Sequence, residues 1–504
     1  MLLTTVVDAS NRIAATRSRK TKTEILTEVL RAAEPGEIRT VVAFLSGVLL
    51  QRRTGLGWRS MSALPDPATE ATLTVAEVDS AFEALAAMSG PGSQSARVVA
   101  TTALFERATE AEQAWLRGVV TGAVRQGALD ALVQEALAAA TGVPLATLRR
   151  AAMLAGSTTA VAGLAVEGGA EALDAIRLEV GRPVLPMLAS SEPDVAAALA
   201  RAGTPAAVDA KLDGIRLQAH KTGDEVLLVT RTLEDVTARL PEVAEVVRAL
   251  PAELLVLDGE AIALGPDGRP RPFQETASRT ASRFTGDVSV TPYFFDLLHV
   301  DGEDLLDRPG SERLERLGRL VPAAHLVPRV VASTLEEAEA ALASALEAGH
   351  EGVVVKNLAA AYDAGRRGAA WVKVKPVHTL DLVVLAVEEG SGRRRGWLSN
   401  IHLGARDPEG GFVMLGKTFK GMTDEMLAWQ TKRFTELMVD RDDWVVRLRP
   451  EQVVEIAFDG VQRSSRYPGG LALRFARVVR YRDDKTPAEA DTIDDVRRLA
   501  TWLD

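Results

Sequence analysis

Lys211-Leu212-Asp213-Gly214-Ile215-Arg216 sets a lysine beside an acid, a glycine and an arginine, just after the apolar run Ala206-Ala207-Val208. Read as a strand, that run delivers the lysine to a strand end facing a cleft. A lysine there is a candidate nucleophile. A free amine titrates near about 10.4 and is almost fully protonated at neutral pH, so it needs neighbouring cations or desolvation to expose its lone pair. The four-residue pattern K-x-D-G also recurs by chance, and an exposed Lys–Asp pair on a turn is the plainer alternative. The residues C-terminal to it, and their spacing, decide between the two.

Downstream, Lys211 to His220 and Glu225 to Arg231 read as strands, joined by the turn Lys221-Thr222-Gly223-Asp224. A helix is expected from Leu240 to Leu250, with Pro241 at an early helical position. Leu254 to Leu257 and Ala261 to Leu264 read as two strands with Asp258-Gly259-Glu260 between them, so Glu260 is expected at a strand end. In the strand Pro292 to Leu298, alternation puts Phe294 and Phe295 on opposite faces. One can enter the core while the other faces a cleft and stacks on a flat ligand. A helix from Leu335 to Ala348 precedes Glu351-Gly352-Val353-Val354-Val355-Lys356-Asn357, a β run with a charge at each end. Trp371-Val372-Lys373-Val374-Lys375-Pro376 alternates strictly, so Lys373 and Lys375 share one strand face. Like charges on one face repel unless an anion lies between them; the alternative is an edge strand with both lysines in solvent.

Upstream, residues 1–182 read as helical. Thr23 to Leu30, Val78 to Met88, Glu110 to Arg125 and Leu129 to Ala140 carry helical apolar spacing, punctuated by Gly and Pro clusters. The loop Leu50 to Arg59 sets glycines among arginines, an arrangement able to meet a phosphate backbone or to form a solvated interhelical turn. Arg182 to Leu188, with two prolines, is expected to be an extended linker. Residues 183–378 read as mixed α/β. Residues 379–504 are rich in short strands (Leu382 to Val387, Ile401 to Gly404, Phe412 to Leu415, Val453 to Phe458), with a helix from Asp424 to Met438. That pattern suits a five-stranded β-barrel of the OB-fold type. Ser391 to Gly396 would be a basic hairpin tip, in solvent or on a phosphate.

Composition bounds the function. The 504 residues are 47% hydrophobic, ample for several packed cores. There is no cysteine, which excludes disulfides, cysteine–zinc sites and cysteine nucleophiles. The start Met1-Leu2-Leu3-Thr4-Thr5-Val6-Val7 has no basic region ahead of it, and no apolar run reaches membrane-spanning length, so a soluble cytoplasmic protein with no membrane association is expected. The net charge of −10 says little about nucleic acid, because binding depends on a local basic surface. The chain holds 11 lysines against 48 arginines, and nine of the 11 lie at or beyond Lys211. A chain that otherwise uses arginine and keeps lysine here needs a deprotonatable amine or a compact charge at those places.

Six segments occur in order: KLDGIR at 211–216, LDGE at 257–260, YFFDLLHVDG at 293–302, EGVVVK at 351–356, WVKVKP at 371–376 and RFARVVRYRDDK at 474–485. Together they resemble the covalent nucleotidyltransferases, and specifically the ATP-dependent DNA ligases. The resemblance implies a multidomain chain: an all-α DNA-binding domain (1–182), an α/β adenylation domain (183–378) and a C-terminal OB-fold β-barrel (379–504). It implies that Lys211 attacks the α-phosphate of ATP and carries AMP. Glu260 and Glu351 resemble the family's metal-site carboxylates, suited to Mg²⁺ or Mn²⁺. Lys373 and Lys375 would hold the α-phosphate, and Phe295 would stack on the base. Asp209 stands where the family has an adenine-contacting acid, usually Glu. Arg216 and Arg231 match arginines that contact the nucleotide and the nick phosphate, and Lys356 closes a nucleotide-binding segment. Arg482 and Lys485 match an element that closes over ATP and orients the pyrophosphate. Asp213 is expected to support the lysine turn. Leu212 replaces a common tyrosine, and Ala476 a proline. The resemblance further implies a three-step cycle on nicked double-stranded DNA by a monomer encircling the duplex, serving replication, repair or recombination, with a hinge near Val377 to Thr379. An RNA ligase, a capping guanylyltransferase and a catalytically inactive nick-binding protein are the competing readings. An NAD-dependent ligase would be expected to carry a cysteine zinc site.

Overall fold

The computed structural model describes residues 1–51, 53–124, 126, 130–281, 288–363, 367–391 and 394–500. The first part is helical, as expected: α1 (Leu3–Ala15), α2 (Arg19–Ala32), α3 (Ile38–Leu45), α4 (Val75–Ala87), α5 (Ser93–Glu106), α6 (Glu110–Val120), α7 (Asp130–Thr141), α8 (Leu145–Leu154), α9 (Thr158–Glu167) and α10 (Gly169–Asp174). Their starts are written locally. Thr74 with Glu77, and Thr109 with Glu112, form reciprocal capping boxes at the starts of α4 and α6. One apolar cluster, including Phe44, Phe82 and Phe105, all fully buried, holds the bundle together. The helix expected to run to Arg125 ends at Val120, at Gly122 with φ +65°; Arg125 and Leu129 lie outside the described residues.

Arg182 to Leu188 is extended but is not a free linker. Val184 and Met187 are buried with Met153 and Leu154 of α8 and with Val256, Leu298, Tyr362 and Trp371. Prolines prevented helix there, and burial of the apolar residues beside them fixed the segment between the two domains. The salt bridge from Arg150 to Asp307 (2.7 Å) and the Arg53–Glu234 pair (3.1 Å) join the same two bodies.

Then come β1 (Leu188–Ser191), α11 (Val195–Ala202), β2 (Ala206–Lys211), β3 (Ile215–Thr222), β4 (Glu225–Thr230), α12 (Pro241–Arg248), β5 (Leu254–Ala263), α13 (Phe273–Ala281), β6 (Val290–Val300), β7 (Glu303–Asp304), α14 (Gly310–Leu320), β8 (Arg329–Ala332), α15 (Leu335–Glu347), β9 (Gly352–Asn357) and β10 (Arg367–Val374). They form two five-stranded sheets, ordered β1-β10-β9-β2-β8 and β4-β3-β5-β6-β7. The chain passes from one sheet to the other through Leu212, Asp213 and Gly214. Lys211 to His220 is therefore not one strand: β2 ends at Lys211 and β3 starts at Ile215. Gly214 is required at the crossing, since a Cβ there would collide with the Ala261 carbonyl and the Ile262 side chain. Glu260 also departs from expectation. β5 runs unbroken through it, because β3 and β6 pair with it on both sides (Arg216 opposite Glu260, Tyr293 opposite Glu260). Asp258-Gly259 marks a register shift against β6 and not a break between strands. The aromatic alternation holds: Phe294 is buried in the core and Phe295 turns to the other face.

β10 ends at Val374 and β11 (His378–Glu389) begins after three intervening residues. β12 (Leu398–Arg406), β13 (Phe412–Thr418), α16 (Asp424–Leu437), β14 (Met438–Asp442), β15 (Val445–Leu448), β16 (Val453–Phe458), β17 (Gly460–Arg463), β18 (Leu471–Arg474), β19 (Arg477–Tyr481) and α17 (Ile493–Arg498) complete the chain. This part is mostly sheet, but it differs from the five-stranded closed barrel expected. Seven strands form one sheet in which β11 pairs with β12 on one edge and with both β15 and β16 on the other. Among the described residues no ladder joins β13 to β19. Single bonds span that gap: Thr418 to the Ala476 carbonyl (2.6 Å) and Val478 N–H to the Lys420 carbonyl (2.9 Å). No helix among the described residues is long and apolar enough to cross a membrane.

Candidate active site

A cavity of about 650 Å³ opens where the two sheets of the middle part meet. Lys211, Arg216, Arg231, Glu260, Phe295, Lys356 and Lys373 line it, together with Asp209. Eight residues singled out from the sequence thus converge on one space. Lys211 lies at the last position of β2, paired in register with Gly352, and its carbonyl accepts the Glu351 N–H (3.0 Å). Its amine bonds the Glu351 carboxylate. Glu351 also accepts from Lys375 (2.9 Å). Burial pushes the Glu351 carboxyl up, and Lys211 and Lys375 override it, holding the group below the usual carboxylate range. Glu260 accepts from the Gly214 N–H (3.2 Å) across the sheet junction. Desolvation pushes its carboxyl up to about 7 despite the opposing charges of Lys211 and Arg216. Two carboxylates therefore flank the amine, one neutralised by lysines and the other short of positive charge. Hard oxygen donors so placed fit Mg²⁺ or Mn²⁺ shared with a phosphate. Among the described residues no group of three or more acidic or histidine side chains would hold a metal without such a ligand.

Phe295 meets Trp371 edge-on, ring centroids 5.8 Å apart, and the Lys356 amine lies 4.4 Å from the Phe295 centroid. Beneath them Asp209 is buried, and its oxygens are engaged by Arg329 (2.7 Å from Nη2) and Lys356 (2.7 Å). Burial raises the Asp209 carboxyl, and the charges of Lys356 and Arg329 outweigh that and lower it. The expected adenine-contacting acid is thus the anion of a buried cation pair. Arg216 is clamped by Asp258 through Nε (3.0 Å) and Nη2 (2.7 Å). Arg231 is exposed at the cavity mouth.

Lys373 and Lys375 share a strand face but not a destination. Lys373 lines the cavity, whereas Lys375 turns to Glu351 and to Asp459 of the C-terminal part. Asp213, expected to support the lysine turn, accepts from Arg474 across the domain boundary (2.6 Å). Arg482 and Lys485 do not reach the cavity. Both bind Asp381 at the start of β11, at 2.9 and 2.6 Å. In the helical part, Trp58 of the glycine–arginine loop is 69% exposed, while Arg52 lies outside the described residues. At the basic tip, Arg394 donates to the Phe419 carbonyl (2.7 Å); Gly392 and Arg393 lie outside. Asp258, Arg329, Tyr362 and Asp459 went unassigned in the sequence. Asp258 sat within a quoted motif, whereas the other three are joined to the site by long-range pairs that leave no local pattern.

A lysine at a sheet junction, flanked by carboxylates and facing an aromatic-walled, cation-lined cavity, defines a nucleotidyl-transferring enzyme. The comparisons with known proteins narrow the class. Residues 186–375 match the ATP dependent DNA ligase domain, 394–485 the ATP dependent DNA ligase C terminal region and 59–138 the DNA ligase N terminus. A probable DNA ligase from Nocardioides sp. is 68% identical over 99% of this chain and 98% of its own length. One from Beutenbergia cavernae is 62% identical over 99% of this chain and all of its own. The solved structure Pmar-Lig_PreS3 shares the fold with a TM-score of 0.62, covering 95% of this chain and 99% of its own at 18% identity. The chain belongs to the ATP-dependent DNA ligases.

Proposed function

We propose that Lys211 is the adenylylated nucleophile and that the enzyme seals 5′-phosphate/3′-hydroxyl nicks in duplex DNA as a cytoplasmic monomer. The observation that carries this is the placement of Lys211, a residue of the cavity lining, at the junction of the two sheets with its amine held by Glu351. Nζ attacks the α-phosphorus, the bond to the β-phosphate oxygen breaks, pyrophosphate leaves, and the amine loses its protons to give a phosphoramide. Glu351 fixes the direction of Nζ. Arg216, Lys356 and Lys373 face the space a nucleotide would occupy, and Phe295 offers the base a ring face. Glu260 and Glu351 would hold Mg²⁺ or Mn²⁺, which would neutralise phosphate oxygens against the incoming amine. AMP then passes to the 5′-phosphate of the nick, and the 3′-hydroxyl displaces it.

The C-terminal sheet is read as an opened OB-type barrel. Its Arg482 and Lys485 would reach the triphosphate only after a swing; the hinge expected at Val377 to Thr379 is placed at 375–377, because His378 and Thr379 already belong to β11. Contacts of the helical part with the C-terminal part (Arg17–Asp424, 3.4 Å) and with the middle part favour a chain that wraps its substrate. Intact mass before and after Mg²⁺-ATP, with Lys211→Ala alongside and bound AMP first stripped by pyrophosphate, tests the reading. One added AMP on the wild type alone, discharged by nicked DNA and not by nicked RNA, is expected. No adduct with ATP would remove the nucleophile assignment.

A further inference from the structure

Arg216 reaches the cavity wall from mid-sheet, and its position is set by two acceptors: the Asp258 carboxylate and the Met187 carbonyl, the latter 2.6 Å from Nη1. Both acceptors are themselves anchored by one group. The Tyr362 hydroxyl donates to Asp258 Oδ2 (2.7 Å) and accepts from the Met187 N–H (3.0 Å). Asp258 and Tyr362 are 1% and 2% exposed, so neither has water as a substitute partner. The phenol ring is held edge-on against Trp371, centroids 5.7 Å apart, and Trp371 in turn meets Phe295. The Tyr362 N–H donates to the Leu306 carbonyl (2.8 Å), fixing the backbone as well.

We infer that Tyr362 is a positioning residue for Arg216: its single hydroxyl fixes both protein acceptors of that guanidinium and so aims the remaining N–H groups into the cavity. A guanidinium carries five N–H donors in a rigid fork. Three are directed at Asp258 and Met187, and the other two are available to a phosphate only if the fork is held at one angle. Asp258 holds the fork through both of its oxygens, but the two planar groups can still tilt together unless the carboxylate has a further partner. The hydroxyl removes that freedom. Met187 closes the segment linking the helical part to β1, so the same hydroxyl also ties that segment to the cavity wall.

The inference rests on Arg216 contacting a phosphate in the reaction, and the experiment separates the two claims. Single-turnover adenylylation with Mg²⁺-ATP, and single-turnover sealing of nicked duplex by pre-adenylylated enzyme, are measured for the full chain. The set is wild type, Arg216→Ala, Tyr362→Phe and the double variant. Tyr362→Phe is expected to slow whichever step Arg216→Ala slows, by about 10-fold at saturating substrate, with a smaller change in half-saturating ATP. The double variant is expected to be no slower than Arg216→Ala. Losses that multiply, or a Tyr362→Phe rate equal to wild type while Arg216→Ala is slow, overturn the inference. If Arg216→Ala is itself as fast as wild type in both steps, the phosphate role of Arg216 falls and the inference with it. If Tyr362→Phe does not fold, Asp258→Asn in the same cycle carries the test, since it keeps the shape and weakens the same clamp; wild-type rates there are equally decisive.

Discussion

Replacing Asp209 by alanine takes away the carboxylate against which Arg329 and Lys356 are both held. The side chains of Asp209 and Lys356 are 3% and 6% exposed and that of Arg329 is 17% exposed, so the two cations would be left with little water. Removing one partner of a buried ion pair costs about 3–5 kcal/mol, because the other charge stays buried and unmatched. Asp296 lies within electrostatic reach of both cations, which places the cost toward about 3 kcal/mol. For a cooperative unit of roughly 150–250 residues that corresponds to a fall of about 6–12 °C in melting temperature. ATP binding should weaken in parallel, because Arg329 and Lys356 both donate to the Phe295 carbonyl (3.1 and 3.3 Å) and so fix the stacking ring. The assay is thermal unfolding of Asp209→Ala beside wild type, with adenylylation measured against ATP and GTP at a temperature where both are folded. A variant that melts within a degree or two of wild type but loses its preference for ATP would show that Asp209 is not the anchor of the two cations. It would favour the reading of Asp209 as an adenine contact.

Lys211→Arg keeps a cation for Glu351 but cannot be deprotonated, so it should fold normally and show no AMP adduct by intact mass. Asp459→Asn removes a charged partner of Lys375 and Arg477, and a bond to a charged group is worth about 1.5–3 kcal/mol. Fluorescence transfer between dyes on the middle and C-terminal parts should show the docked population reduced about 10-fold or more, and an unchanged distribution would count against the pair as a latch. His220 is buried, accepting from the Gly181 N–H (3.1 Å) and paired with Gln218 (2.8 Å). Burial, aided by His299, lowers it to about 4 from 6.5. Because the folded value is depressed, the unfolded chain binds the proton more readily. The contribution is full above about pH 6.5 and is lost as pH falls toward about 4, amounting to roughly 3 kcal/mol. Denaturant titrations from pH 7 to 4 should show His220→Gln losing less stability over that window than wild type.

Strand period and turn chemistry were readable because they are local. The opposed faces of Phe294 and Phe295 follow from a two-residue repeat that no tertiary contact overrides. The same repeat put Lys373 and Lys375 on one face but could not say that Lys375 would meet Asp459, 84 residues on. Asp258-Gly259-Glu260 reads as a break between two strands because two acids and a glycine interrupt the apolar runs. In the sheet, Gly259 is there for a different reason: a Cβ would stand 2.8 Å from the Phe294 ring and the Tyr293 carbonyl. The prolines of 183–186 correctly excluded helix, yet the burial of Val184 and Met187 depends on α8, which lies in another part of the chain. The extra strands of the C-terminal sheet were missed for a similar reason. β14 is exposed at every position and carries no apolar alternation to reveal it.

A chain of net charge −10 that acts on two polyanions must separate its charges in space. Around the cavity it does so by depth. Asp258 is buried behind Arg216, and Asp209 is buried against Lys356 and Arg329, so that each acid fixes a cation, Arg216 or Lys356, that lines the cavity. Glu351 is the exception, standing beside Lys211 and not behind it. While that pair is intact the amine is held against the carboxylate. A triphosphate entering with a divalent ion would draw Glu351 toward the metal and expose the amine to an electrophile at the same moment. Glu351→Gln should therefore weaken metal dependence and slow adenylylation together, whereas Asp258→Asn should slow it without altering the metal concentration required. Adenylylation rates across a Mg²⁺ titration distinguish the two. An unchanged metal requirement in Glu351→Gln would mean that Glu351 only orients the lysine, leaving Glu260 as the carboxylate that meets the ion.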